Sequence, residues 1–287
     1  MIELCTAALL FAASAGAPTP GPFVVLDRDG QRVELGVLCD ALTDADVVFL
    51  GELHDDSTAH ALEMELLGTA HVAAQEAGRP LVLALEMAET DVQPVLDEYL
   101  VGLIRERDWL AAGRPWGNYD ADYRPLVEFA KAEGVPVVAS NAPGRYVSLV
   151  SRRGGIGVLD SLSAAAQAWL PASVAPPSEA LAAKFTDLMG GMPHGAGPSV
   201  EGMLAAQNLR DATMAWRIAE ALDAYPSALV VHVNGSFHSD DGLGIPEHLA
   251  RLTPEASTLV VSMRRETGPQ DAEVGDNDFV ILTSAVE

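Results

Sequence analysis

Five runs of β-branched and other apolar residues are spaced along the chain, and helical periodicity separates most of them. The runs lie at residues 46–52, 80–86, 135–141, 228–235 and 257–263. Their apolar residues do not alternate with polar ones, which is typical of parallel strands covered on both faces. Helical patterns lie at residues 57–77, 90–102, 121–133, 144–153 and 200–224. This alternation predicts an α/β fold, with a doubly wound, mostly parallel sheet flanked by helices.

Three further segments differ from this alternation. Residues 23–35 predict a hairpin that turns at Asp29-Gly30. Residues 154–199 combine Pro, Gly and Met with short helical pieces, which predicts a small helical insertion or subdomain within a single domain of residues 18–287. Residues 1–17 are apolar and then small, with an Ala-Ser-Ala sequence typical of a signal-peptidase site but no basic start. They predict a leader and export to the periplasm, the cell surface or the medium.

The net charge and the placement of the basic residues limit the kinds of binding partner that we expect. The formal net charge is −24, so we expect no nucleic-acid partner and at most a peripheral association with a membrane. Eight of the 17 lysines and arginines fall within residues 105–153, and Arg145 is one of them. This local excess predicts a site for an anionic small molecule, although solvated helix faces would give the same pattern.

Polar residues follow the predicted strands where each one ends. Glu52 and His54 follow the first core strand, Glu86 ends the second, and Ser140 and Asn141 end the third. The fourth strand ends in Asn234 and is followed by His238, Asp240 and Asp241. Ligands of open α/β sheets bind beyond the carboxyl ends of the strands, so we expect these groups to converge.

The converging groups suit a divalent metal such as Zn, Mn or Co. Imidazole nitrogens and carboxylate oxygens are common ligands of such ions, which makes Glu52, His54, Glu86 and His238 the candidate set. In a metal-dependent hydrolase Glu86 would be the catalytic general base. The alternative is a polar network that serves only the structure. Among the remaining histidines, we expect His60 and His71 to be partly exposed on a helix and His232 to lie in the core.

Five motifs in order resemble the ChaN-like haem-binding proteins, which share a superfamily with the Tiki metalloproteases and erythromycin esterases. They are "LGELHDDSTAH", "LALEMAETDVQPVLDEYL", "DYRPLVEFAKAEGVPVVASNAPGRYV", "AAQNLRDATMAWRI" and "NGSFH". The resemblance covers about residues 40–265. It implies a haem-binding protein linked to haem or iron uptake or storage, and it allows a homodimer around two stacked haems.

The resemblance also implies roles for individual residues. Tyr123 or Tyr119 would ligate the haem iron, and His194 would meet the propionates across the dimer. The Tiki-type metal motifs match at Gly51 to His54, at Glu86, and at Gly235 to His238. Two functions therefore stay open: haem binding, which is the leading hypothesis, and metal-dependent hydrolysis of a peptide or an ester. A structural interaction domain would leave the polar strand ends unexplained.

Overall fold

A single mixed sheet forms the centre of the protein. The computed structural model describes residues 19–189, 199–268 and 273–284, and within them the sheet has eight strands. In chain order they are β1 (Phe23–Asp27), β2 (Arg32–Val33), β3 (Val47–Glu52), β4 (Leu81–Glu89), β5 (Val137–Asn141), β6 (Leu229–Gly235), β7 (Thr258–Glu266) and β8 (Phe279–Ser284).

The order of the strands confirms the predicted fold class. The sheet runs β2-β1-β8-β7-β3-β6-β4-β5, and the six strands from β8 to β5 are parallel to one another. The antiparallel hairpin of β1 and β2 extends the sheet beyond β8. Asp27 accepts hydrogen bonds from the backbone of Asp29 and Gln31 in this turn, and Gly30 has a φ of 72°, as predicted for a tight Asp-Gly connection.

Helices cover both faces of the sheet. They are α1 (Leu35–Leu42), α2 (Ser57–Ala77), α3 (Gln93–Leu100), α4 (Glu106–Gly113), α5 (Arg124–Glu133), α6 (Gly144–Arg153), α7 (Ala164–Gln167), α8 (Glu179–Met189), α9 (Val200–Ala224) and α10 (Ile245–Leu252). A single π-helical turn, Tyr119–Tyr123, leads directly into α5.

Alternate residues of each central strand face opposite layers of the core. On one face Val48 and Leu50 of β3 pack with the cluster that contains α1 to α5. On the other face Val47 and Phe49 pack against Met214 of α9 and other residues of α9 and α10. Both faces of β3 are therefore apolar, which explains why the strand shows no alternation in the sequence.

The structure differs from the sequence analysis at three places in the fold. The strand β8, which lies between β1 and β7, was not predicted, although "FVILTS" is an apolar run of ordinary strand length. The helix predicted at residues 90–102 is divided into a 3₁₀ turn, Thr90–Val92, and α3, and the Gln93 side-chain amide hydrogen-bonds Val137 O and Ala139 N of the edge strand β5. His60 and His71 are buried and not partly exposed, because the π-helical turn at Tyr119–Tyr123 and α5 pack against α2.

The segment predicted as an insertion packs on α6 and α9. A 3₁₀ turn at Ile156–Ser161, together with α7 and α8, occupies its described part, and Leu159 and Leu170 share a small cluster with Val150 and Leu209. The remainder of the segment, residues 190–198, and the predicted leader lie outside the described residues. Among the described residues, none of the helices has the length and apolar character that crossing a membrane requires.

Candidate functional site

The site begins where three neighbouring strands end side by side. In the sheet β3 lies next to β6, and β6 lies next to β4. Glu52, the last residue of β3, is in register with Gly235, the last residue of β6. Glu86 of β4 reaches the same Gly235 and accepts a hydrogen bond from its backbone N–H at 2.7 Å. The topology of the sheet thus brings together residues that are far apart in the sequence.

Glu52 fixes the orientation of His54. The Glu52 side chain is buried, and its Oε1 lies 2.9 Å from His54 Nδ1 and 2.5 Å from the Tyr123 hydroxyl, which donates to it. Asn118 holds the backbone carbonyl of His54 through its side-chain amide at 3.0 Å. The hydrogen bond to Glu52 raises the pKa of His54, against the opposing effect of partial burial. Because Nδ1 is engaged with Glu52, Nε2 is the ring nitrogen that remains for another partner.

Glu86 belongs to a second, fully buried array. Its Oε1 lies 3.1 Å from His238 Nε2, and His238 Nδ1 is hydrogen-bonded to Asp211 of α9. Burial opposes charge here, but the Glu86 and Asp211 carboxylates raise the pKa of His238 to about 10. Likewise burial would raise the pKa of Glu86, but His238 and the Gly235 N–H lower it to about 2. The two residues form an ion pair.

The ion pair argues against the catalytic role that the sequence predicted for Glu86. A carboxylate whose pKa is about 2, with both oxygens engaged, takes up a proton poorly near neutral pH. The nitrogens of His238 are engaged as well. Of the four residues predicted to bind a metal, only His54 retains a ring nitrogen without a hydrogen-bond partner in the described structure, and His54 and Glu86 line the cavity described below.

The backbone of Gly235 lies between the His54 ring and the Glu86 carboxylate. A Cβ atom at this position would lie 2.9 Å from His54 Cε1, 3.0 Å from His54 Nε2 and 3.6 Å from Glu86 Oε2. The His54 ring and the Glu86 carboxylate therefore meet at one point, and only a residue without a side chain leaves the ring in place.

We expect Gly235→Ala to displace the His54 ring and to leave the sheet intact. The added methyl group would come closer to Cε1 and Nε2 than carbon contacts allow, and the half-exposed ring can turn outward. In ¹H–¹⁵N spectra the His54 imidazole resonances should shift. The free energy of unfolding should fall by about 1–3 kcal/mol at most. Gly117→Ala, whose Cβ would meet no atom within 4 Å, is the control. Unchanged imidazole resonances in Gly235→Ala would contradict the close packing.

A cavity of about 510 Å³ opens above these residues. It is lined by His54, Glu86, Glu89, Trp116, Asn118, Asn141 and Arg210. The Trp116 ring meets the His54 ring edge to face at 4.7 Å, and Arg210 donates to Asn141 at 3.0 Å. This volume is in the range of cofactor and small-ligand pockets. The cavity is polar at its base and has an aromatic side wall.

The other residues predicted to bind a cofactor lie away from the cavity, are paired with acidic side chains, or fall outside the described residues. Tyr119 packs edge to face against Trp109 in the core, and burial raises its pKa. Arg145 is paired with Asp91, which Arg114 also contacts, and Arg114 continues to Glu89 at the cavity wall. His194 lies outside the described residues.

The remaining strand-end groups divide between the site and other parts of the fold. Asn141 lines the cavity, but Ser140 is buried against His232. Asp240 and Asp241 face Lys184 of α8 rather than the cavity, so the expected convergence does not include them.

Sequence reasoning missed Asn118, which lies in a loop outside the motifs, and Arg210, which lies within the motif "AAQNLRDATMAWRI" but was given no role. Asp211 and Gln207 lie one turn apart on α9. Both contact His238, so they face the site.

Comparison with known proteins agrees with the motifs. A family model described as haem-binding uptake, Tiki superfamily, ChaN matches residues 38–249, which is most of the chain. The chain belongs to this family. The matched range contains every residue that lines the strand-end cavity.

Individual relatives are more distant. The solved structure of ChaN of Campylobacter jejuni with cofacial haem has a TM-score of 0.67 and 16% identity, covering 92% of this chain and 97% of that chain. This likeness shows that the fold is shared. Protein RETICULATA-RELATED 5, chloroplastic, of Arabidopsis thaliana is 25% identical over 303 residues. The match covers 99% of this chain but 39% of that protein. An erythromycin esterase is similar at a TM-score of 0.47 and 12% identity, with 93% and 85% of the two chains covered.

Proposed function

We propose that this protein binds haem at the strand-end cavity, with His54 Nε2 as a ligand of the iron. The observation that carries the proposal is the geometry of His54. Its side chain is 49% exposed at the cavity, and its Nδ1 is hydrogen-bonded to a buried carboxylate. Family membership supports the choice of haem as the ligand.

The Glu52 hydrogen bond suits a histidine that ligates iron. Histidine is a common axial ligand of haem, and metal-bound histidines usually donate their second ring N–H to a carboxylate or carbonyl. That partner fixes the ring and makes the ligating nitrogen more basic. Glu52 is held in turn by the Tyr123 hydroxyl, so the whole array is positioned before a ligand arrives.

The cavity wall offers complementary groups for the rest of haem. Trp116 supplies an aromatic surface beside His54, and Arg210 supplies a cation for a propionate. The arginines within residues 105–153 contribute less than the sequence indicated, because Arg105, Arg114, Arg124 and Arg145 are already paired with acidic side chains.

Tyr123, the ligand that the family resemblance implied, is less suited to this role in the described conformation. Its side chain is 1% exposed, and its hydroxyl donates to Glu52. Burial and the Glu52 charge raise the pKa of Tyr123, which disfavours the phenolate that ferric iron prefers. We therefore assign Tyr123 to positioning of Glu52.

Titration of the full chain with ferric haem tests the proposal. We expect a saturable change of the Soret band at a fixed stoichiometry, and the same end point after removal of excess haem. Iron-free protoporphyrin is the matched control, because it keeps the ring and the propionates but lacks the iron. Equal affinity for the two porphyrins, or a change that does not saturate, would contradict binding through an iron ligand.

The wider role is part of the same proposal. A function in haem or iron uptake or storage is supported by the description of the family, and export is supported by the apolar residues 1–17. A homodimer would allow two haems to stack, and native mass spectrometry with and without haem would measure it.

Hydrolysis is the second candidate, and the same histidine favours it. An imidazole oriented by a carboxylate and open at Nε2 is the arrangement of a general base. His54 replaces Glu86 as the candidate general base, because the low pKa of Glu86 makes that carboxylate a poor proton acceptor. Ester and peptide turnover that is lost in His54→Ala would support this function, and its absence in the wild type would remove it.

A further inference from the structure

A second cluster of ionisable groups lies beneath the cavity, in the interior. Glu63 on the second turn of α2 lies 3.0 Å from His60 Nδ1, measured at Oε2. On the other side of the ring His60 Nε2 lies 3.4 Å from Glu52 Oε2 and 3.7 Å from Asp122 Oδ2. One ligand atom each from Glu52, His60 and Glu63 lies within 4.8 Å of the others. Glu52 and His60 lie within the motif "LGELHDDSTAH" and Glu63 follows three residues later, so the turn from β3 into α2 brings all three together.

Two oxygens of the cluster are buried without a hydrogen bond. Glu52 Oε2 and Glu63 Oε1 have no hydrogen-bond partner among the described residues, although Glu52 is 2% exposed and Glu63 is fully buried. Carboxylate oxygens removed from water are costly unless they are paired or coordinate a metal. Glu63 Oε1 makes no hydrogen bond, and Glu52 Oε2 has only the long contact of 3.4 Å with His60 Nε2, so both atoms point to a missing partner.

The charges of the cluster point the same way. Glu52, Glu63 and Asp122 bring three carboxyl groups to His60, and Glu52 also contacts His54. Within the described residues no lysine or arginine pairs with these carboxyl groups. Two imidazolium rings cannot balance three carboxylates. A divalent cation would balance the charge and also satisfy the unpartnered oxygens.

We propose that Glu52, His60 and Glu63 form a buried binding site for one divalent cation. A set of oxygens and one imidazole suits Zn²⁺, Mn²⁺ or Fe²⁺. Metal–ligand distances of about 2.0–2.2 Å require the atoms to draw together slightly from their present spacing. This site is separate from the proposed haem ligand and goes beyond the proposed function.

Glu52 connects the two sites. Its Oε1 orients His54, while its Oε2 faces the cation site. A bound cation would hold the Glu52 carboxylate in place and would thereby fix the orientation of His54 at the cavity. Glu52 would then be a ligand in one site and a positioning residue in the other.

Metal binding to the full-length chain, stripped with a chelator, tests the site. Calorimetry with Mn²⁺ and with Zn²⁺ should give about one tight equivalent in the wild type. Glu63→Gln should weaken it by more than about 10-fold, since loss of even an indirect partner costs 10–100-fold. Glu65→Gln, a buried glutamate on the same helix outside the cluster, is the matched control and should bind as the wild type does.

Two further measurements keep the outcomes distinct. The wild type should gain thermal stability with the metal, and Glu63→Gln should fold but gain none. Haem titration of Glu63→Gln should still give a saturable Soret change, so failure of this site and failure of haem binding are told apart. The proposal is overturned if the wild type binds no ion, if Glu63→Gln binds as tightly as the wild type, or if His54→Ala alone abolishes binding.

Discussion

His54→Ala should weaken the binding of ferric haem by about 100-fold or more and should shift the Soret maximum. The substitution removes the iron ligand itself, and replacing a group that merely supports a metal ligand already costs about 10–100-fold. The side chain is half exposed on a turn, so the fold should persist. Absorption titration gives both the affinity and the spectrum.

Tyr123→Phe is the comparison that separates the two candidate iron ligands. It removes the hydroxyl that donates to Glu52 but leaves His54 bonded to the same carboxylate. We expect the affinity for ferric haem to fall by about 10-fold, because Tyr123 acts on the iron ligand only through Glu52, and we expect the position of the Soret band to be preserved. A larger loss in Tyr123→Phe than in His54→Ala would make the tyrosine the ligand.

His238→Ala should lower the free energy of unfolding by about 3–5 kcal/mol at pH 6. His238 compensates two buried carboxylates, Glu86 and Asp211, and breaking a buried ion pair from one side leaves uncompensated charge. Urea denaturation followed by circular dichroism measures the change. A change below about 1 kcal/mol, typical of exposed ion pairs, would contradict the array.

The same pair predicts how stability depends on pH. The pKa of His238 is raised from 6.5 to about 10, so its stabilising contribution is complete below pH 6.5 and is lost as the pH rises toward 10. The pKa of Glu86 is lowered from 4.5 to about 2, so its contribution is present above pH 4.5 and is lost as the pH falls toward 2. Stability from this pair should therefore be greatest between about pH 4.5 and 6.5.

His238→Ala should lose less stability than the wild type as the pH rises from 6.5 to 10. His248→Gln is the control, because burial lowers the pKa of His248 to about 4 and it therefore adds no stability that is lost at alkaline pH. If His238→Ala and the wild type lose stability equally between pH 6.5 and 10, His238 is not charged in the folded protein.

The fold was predictable from the sequence wherever the strands are buried on both faces. Val47 to Leu50 are apolar toward both layers of helices, and that pattern identifies a central strand without knowledge of its neighbours. The convergence of Glu52, His54 and Glu86 followed from the same inference, because parallel strands end at one edge. The strand β8 shows the limit, since a short apolar run near the end of the chain carries little periodicity of its own.

The chemistry of individual residues was less predictable. His60 was expected to be partly exposed on its helix, but the π-helical turn at Tyr119–Tyr123 packs against α2 and buries His60 beside Glu52. The pKa of Glu86 depends on His238 and on the Gly235 N–H, which no local motif specifies. The cluster of arginines indicated an anion site, but the acidic partners that neutralise Arg114 and Arg145 become apparent only in three dimensions.

The resonance Raman spectrum of the haem complex tests the central claim most directly, because it identifies the atom bound to iron. The account predicts an iron–imidazole stretching band in the ferrous protein that disappears in His54→Ala and remains in Tyr123→Phe. Phenolate bands in the ferric protein that disappear in Tyr123→Phe, with no band that depends on His54, would contradict it.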